Sequence, residues 1–429
     1  PQNVTVVARS FGIVTINSAG TGPAQANDAS VNGGISLVRF TGGNLAYNGL
    51  NWVLGAAHPG DILTFWGTGG GADSANDTGG SSGDQTNVGN FLVTVAGRQI
   101  KPQYAGTASG YPGLWQLNLA LPADLAPDCF TTVQVSAGGE LSNIVTVAVA
   151  AAGQTACSDP QLSQDALSRL DAGGTITLGG IAVNHEMSLA TSQDLIATQF
   201  ERYTAAEWAM TQHGLPVGSC QIYDRTYPVG GVDPAAPEAF LDAGTSLAAS
   251  GPGLPASYRL SQISSPLGHV YGNAPAAGTL TSGTYTVSGN GGSDIGAFTA
   301  STKFPASFTA TNFDAITAVD RTKPLTFTWT GSGFDQVSLL VNSINRVGSL
   351  NHIVTVQCIV PASLGSYTIP SAALGYLLPA SATGTSFGTI SVDGMTTPAT
   401  FTAPLAGGGT VDVTAAIGGI VVAKNVAVQ

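Results

Sequence analysis

The stretch HIVTVQCIVP, residues 352–361, decides how the rest of the chain is read. In an extended backbone successive side chains point to opposite faces, so Val354, Val356, Cys358 and Val360 share one side. That side is apolar and faces a core, which gives Cys358 a buried position suited to a disulfide.

Working outward, the same short alternating runs recur, separated by Gly, Pro, Asn and Asp clusters. In the first ~155 residues they fall at 61–67 (DILTFWG), 91–97, 114–122, 131–138 and 143–150, the pattern of a β-sandwich. Residues 153–174 break the rhythm and are read as a linker. Strands resume at 175–183 and, after Pro255, at 283–289, 297–301, 325–331, 336–342, 366–370, 387–394, 400–405, 409–416 and 419–428. One short helix is expected at 204–213, where Thr204 and Glu207 make a capping box and Gly214 supplies a left-handed stop. The chain is thus expected to be all-β, with boundaries giving 1–158, 159–304 and 305–429 as domains.

Only 9% of the 429 residues are charged, against roughly 25% in average soluble domains, while Gly contributes 57 and Pro 23. Such a surface is built from Ser, Thr, Asn, Gln, Gly and Ala, as in secreted structural β proteins. The formal charge is −12 and the 13 basic residues are scattered, so no stripe exists to dock nucleic acid or an anionic bilayer. Apolar runs such as 145–152 and 417–423 fall far short of the ~20 residues that span a bilayer. A chain numbered from Pro1 without a signal sequence is expected of a processed mature protein or a fragment, and its location is expected to be extracellular or at the cell surface.

The four cysteines, Cys129, Cys157, Cys220 and Cys358, allow three pairings and form no CxxC or Cys/His cluster, so structural disulfides are expected rather than zinc. Local logic favours Cys129–Cys157, which bracket one hairpin-like unit, leaving Cys220–Cys358 as a long-range staple.

The stretches HPGDILTFWGTGGG, FLVTVAGRQIKPQYAGTASGYPGLWQLNLALP and CFTTVQVSAGGELSNIVTVAVAAAGQTACSDP resemble, over most of residues 1–158, the immunoglobulin-like domain of secreted acidobacterial proteins, relatives of the IPT/TIG fold. SCQIY, LDAGTSL, GTYTVSGNGGSDIGAF, LTFTWTG and CIVPASLGSYTIP are similar to domains that accompany it. The resemblance implies tandem immunoglobulin-like β-sandwich domains, export and the same two cysteine pairings, and no activity. It also makes the opening segment, residues 1–16, look like the last strand of a missing preceding domain. Val4, Val6, Phe11 and Ile13 would then be a subunit interface, donated into a neighbour's sheet.

Other motifs dissolve on inspection. GTSFG at 384–388 fits the string of a serine nucleophile elbow, with Ser386 in place, but a strand follows where a helix is required. His185-Glu186 begins a zincin motif, yet Leu189 stands where the second histidine belongs. The five histidines, His58, His185, His213, His269 and His352, are isolated in sequence and read as loop or surface residues. Asp73, Asp77 and Asp84 lie in a Gly/Ser-rich loop without EF-hand spacing and read as solvated. Trp66 and Trp329 read as core, while Trp52 and Trp115 are the candidates for an exposed sugar-stacking platform. No metal or other cofactor is expected. The leading expectation is a secreted structural subunit of a filament or surface layer, its partner being itself; the alternative is an adhesin-like protein that binds a glycan.

Overall fold

The structure is a computed structural model and describes residues 7–18, 20–72, 81, 83–188, 191–210, 218–233 and 235–429. Strands take up 52% and helices 6%, so the chain is all-β. It forms two compact units, Pro1–Thr175 with Thr204–Met210, and Ile176–Tyr203 with Thr211–Gln429.

The first unit holds two five-stranded sheets. One places Gly12–Ile13, Ile62–Thr68, Trp115–Ala120 and Tyr104–Thr107 in that order, with Ala26–Asp28 also on Ile62–Thr68. The other sets Asp128–Ala137 between Val145–Val149 and Leu92–Val95, and Arg98–Ile100 follows at the edge. Numbered along the chain, this is the A-B-E-D and G-F-C-C′ order of an immunoglobulin-like sandwich. Strict alternation selects the buried faces: Trp115, Leu117 and Leu119 point inward from one sheet, Val133 and Val135 from the other. Phe91 joins the two, edge-on to Phe11 at 5.8 Å and stacked on Trp115 at 5.6 Å. Cys129 is bonded to Cys157. The bridge thus ties strand F to the segment beyond strand G, unlike the B–F bridge of antibody domains.

Two expectations are corrected in this unit. Phe11 and Ile13 do not wait for a neighbour: they are only 2% and 4% exposed, and Gly12–Ile13 pairs antiparallel with Gly67 and Thr68 of the same chain. The strand fills edge position A of its own sandwich at Gly67 and Thr68, beyond the span of Ile62–Thr68 that pairs with Ala26–Asp28. Val4 and Val6 lie outside the described residues. Residues 153–174 are more than a linker. Ser163 caps a helix, Gln164–Asp171, by accepting the Ala166 N–H, and the helix buries Ala166, Leu167 and Leu170.

The helix expected at 204–213 is Ala205–Met210. Its capping box is reciprocal: the Thr204 N–H donates to Glu207 Oε2 at 2.8 Å, and the Glu207 N–H donates to Thr204 Oγ1 at 3.2 Å. Gly214 lies outside the described residues.

The second unit is organised by one large sheet. From its outer strand, Ser219–Pro228, it runs through Leu350–Pro361, Gln336–Val347, Phe387–Met395, Val413–Val428, Thr175–Ser188 and Ser192–Thr204, then on to Gly283–Gly289 and Phe298–Phe304. The boundary expected at 304/305 is therefore corrected: 159–304 and 305–429 share this sheet and one continuous core that includes Ile181, Phe200, Leu247, Val356, Ile390 and Val428. The reason is a parallel pair of eleven residues, Leu178–Ser188 beside Val413–Ala423, which brings both ends of the unit together. The sheet folds over itself, with Phe200 edge-on to Phe298 at 5.0 Å. Gly418 allows the close crossing, because a Cβ there would sit 1.9 Å from the Lys303 carbonyl oxygen. Cys220 lies directly opposite Cys358 and is bonded to it. Among the described residues no helix is long and apolar enough to cross a membrane.

Candidate functional site

A third small sheet of the first unit, Ser36–Val38, Leu50–Gly55 and Gly43–Tyr47 in that order, is inserted between the first two strands of one sandwich sheet. Its tip is a two-residue turn, Asn48–Gly49, with φ of 50° and 75°. Asn-Gly is the pair that tolerates two left-handed residues, and it joins strands whose twist matches the turn. Cross-strand register then follows: Leu45 lies opposite Trp52, and Tyr47 opposite Leu50. Directly opposed residues share a face, so these four apolar side chains form one patch. Leu45, Tyr47 and Leu50 are 42%, 61% and 44% exposed. The Trp52 indole is half-buried and its Nε1 atom is buried without a hydrogen-bond partner.

The hairpin is held firmly at its root. Ser36–Val38 pairs in parallel with Val53–Gly55. The Cys157 N–H donates to the Phe40 carbonyl at 2.9 Å, which links the root to the Cys129–Cys157 bridge. Asp171, at the end of the capped helix, accepts the N–H groups of Phe40 and Thr41 at 3.1 and 2.8 Å, as well as the Thr41 hydroxyl at 2.9 Å. Burial pushes the Asp171 carboxyl above its ordinary value, and those hydrogen bonds together with the Arg39 charge partly oppose the shift.

Edge strands of soluble proteins are ordinarily blunted by charge, proline or a covering segment, because an open row of N–H and C=O groups recruits other strands. The outer strand Ser219–Pro228 follows that rule with Asp224, Arg225 and Pro228, and Phe298–Phe304 carries Lys303. Gly43–Tyr47 does not. Its sequence is GNLAY, all five residues are exposed, and no Asp, Glu, Lys or Arg occurs between Arg39 and Asp61. Among the described residues this edge is therefore left both uncharged and exposed.

The remaining candidates from the sequence fall elsewhere. Trp115 is 3% exposed and belongs to the core, which removes it from any sugar platform. Trp329 is buried and donates from Nε1 to the Ala362 carbonyl at 2.8 Å; Trp66 is half-buried and donates to Asn27 Oδ1 at 2.8 Å. The Ser386 hydroxyl accepts the Arg346 N–H at 3.2 Å, within a loop that precedes a strand. Asp73 and Asp77 lie outside the described residues, and Asp84 spends its Oδ1 on the Thr86 and Ala105 N–H groups. His352 meets Asp224 at 2.6 Å on the surface, and His58 meets Asp61. His185, read from the sequence as a loop or surface residue, lies in the strand Thr175–Ser188 and has partners at both ring nitrogens. Sequence reasoning singled out Trp52 but missed Leu45, Tyr47 and Leu50; the Asn48–Gly49 pair between two alternating runs was the available signal.

No family model and no curated protein matches the chain. Among solved structures, a DUF4785 family protein from Legionella pneumophila subsp. pneumophila str. Philadelphia 1 is similar at 10% identity, over 87% of this chain and 84% of that one, with a TM-score of 0.13. An endo-fucoidan hydrolase of glycoside hydrolase family 107 is similar at 12% identity, over 91% of this chain and 45% of that one, with a TM-score of 0.12. An S-layer protein is similar at 9% identity, over 86% of this chain and 53% of that one, with a TM-score of 0.13. Scores this low mark no shared fold.

Proposed function

We propose that the protein is a structural protein of an extracellular or surface compartment, whose copies join edge to edge through the hairpin Gly43–Tyr47 and Leu50–Gly55. The observation that carries this reading is the uncharged, open edge strand backed by a patch of Leu45, Tyr47, Leu50 and Trp52. Two copies meeting antiparallel at Gly43–Tyr47 extend one sheet across the contact, and main-chain hydrogen bonds set the register. Burying Leu45, Tyr47 and Leu50 on each side contributes about 1.5–3 kcal/mol per side chain as an upper bound. The two disulfides suit an oxidising compartment, and the low charge lessens repulsion between copies. This joint replaces donation by residues 1–16, since Phe11 and Ile13 are already committed to the chain's own core. A symmetric pair closes on itself, so growth into a filament or layer requires a second contact on each chain.

The test is sedimentation velocity and electron microscopy of the full chain beside Leu45→Lys/Tyr47→Lys. Concentration-dependent association of the parent chain, lost in the variant at unchanged melting temperature, is the expected result. A parent chain that stays monomeric at all concentrations removes the proposal. A second reading rests on the same face: the rings of Tyr47 and Trp52, diagonal to each other across the two strands, suit stacking on a glycan ring. Saturable binding on a glycan array, lost on Trp52→Ala in a monomeric protein, would select that reading instead.

A further inference from the structure

A separate constellation sits in the second unit, at the end of the neighbouring strands Thr175–Ser188 and Ser192–Thr204. Ser192 and Asp194 are two residues apart on one strand and therefore share a face. His185, on the adjacent strand, lies between them. Its Nδ1 is 2.5 Å from Asp194 Oδ1, and its Nε2 is 3.2 Å from the Ser192 hydroxyl. Asp194 is completely buried, and its second oxygen accepts the Leu280 N–H at 2.8 Å. Ser192 is exposed.

Each atom is placed for one role. A buried carboxylate at Nδ1 fixes the tautomer that carries hydrogen on Nδ1, which leaves Nε2 as acceptor for the serine proton. The Leu280 N–H pins the carboxylate, so the imidazole cannot swing from the hydroxyl without abandoning a buried partner. Such a relay is recognised by geometry and roles rather than by order along the chain, here His185, Ser192, Asp194.

We propose that Ser192, His185 and Asp194 form a serine nucleophile site that acts on small acyl esters approaching from solvent. Ser192 Oγ attacks the ester carbonyl carbon as its proton passes to His185 Nε2, and the Oγ–acyl bond forms. The ester C–O bond breaks, and the departing alkoxide takes the proton from Nε2. Water then attacks the acyl-serine, giving its proton to Nε2; the carboxylic acid leaves and Ser192 recovers a proton. Asp194 touches no substrate. It is a positioning residue that orients His185 throughout.

The test uses the full chain, a fluorophosphonate probe and p-nitrophenyl acetate. Mass spectrometry is expected to find the probe on Ser192, with ester cleavage falling to the buffer rate in Ser192→Ala. Ser188→Ala serves as a neighbouring hydroxyl control and is expected to retain both. His185→Gln is expected to abolish labelling. Asp194→Asn, nearly isosteric, is expected to lower the rate by at least about tenfold and to shift its pH profile, an effect that a merely structural role would not produce. Ser192→Ala alters an exposed side chain, so folding does not obscure the result. An unlabelled Ser192 in the parent chain, or labelling of Ser192 that persists undiminished in His185→Gln, overturns the proposal.

Discussion

Asp28 is held where its charge is costly. It is 5% exposed, and burial together with the neighbouring Asp61 carboxylate raises its pKa from 3.8 to about 6, while the Ser30 N–H partly offsets the rise. With a raised carboxyl pKa the native state holds a proton that the unfolded chain has released, between about pH 4 and pH 6. The stabilising contribution of the protonated form is therefore complete below the unfolded pKa and disappears as pH rises through 6. Asp28→Asn removes that dependence and keeps an acceptor for the Ser30 N–H. It is expected to match the parent chain in urea unfolding near pH 4 and to exceed it by about 1–3 kcal/mol at pH 7; equal differences at both pH values would contradict the assignment. Ala96 shows a second local cost. It occupies φ 45° in the two-residue turn Ala96–Gly97 between Leu92–Val95 and Arg98–Ile100, a conformation that costs a Cβ-bearing residue about 1 kcal/mol. Ala96→Asn supplies the turn chemistry already present at Asn48–Gly49, and a gain of about 0.5–1 kcal/mol in thermal unfolding is expected.

At the scale of elements, most strands were legible because alternation in an antiparallel sheet is a direct trace of one buried face. Trp115, Leu117 and Leu119 show this in the first unit, and Val354, Val356, Cys358 and Val360 in the second. The helix Gln164–Asp171 was missed although Ser163 marks its start, because a run of Gln, Ser and Asp reads locally as a loop. Its apolar face is complete only once Ala166, Leu167 and Leu170 are buried. The hairpin prediction belongs to this scale too. Lysines at positions 45 and 47 add charge to one exposed strand, so association is expected to vanish while the root, fixed by Asp171 and Cys157, stays folded. A variant that still associates would place the contact elsewhere.

For the whole molecule, the two disulfides close loops of very different length, with separations of 28 and 138 residues. In the chain-entropy account, removing Cys129–Cys157 by double alanine substitution costs about 3–4 kcal/mol, and removing Cys220–Cys358 about 5 kcal/mol. Guanidinium unfolding of the two variants is expected to show that ranking; the reverse would mean that native packing around Cys129 outweighs loop closure. The second bridge adds to a pairing already fixed by ten residue pairs between Ser219–Pro228 and Leu350–Pro361.

The sequence alone determined that the chain is all-β, that Thr204 and Glu207 cap a helix, and that Cys358 points into a core. Each of these follows from spacing within a few residues, where the period of the backbone translates order into direction. The tertiary structure alone decided that 178–188 lies beside 413–423, that Phe11 fills its own sandwich, and that His185 meets both Ser192 and Asp194. Alternation fixes the side to which a residue points, but the strand that lies alongside is selected by the burial of the whole apolar surface at once, and no local period records that choice.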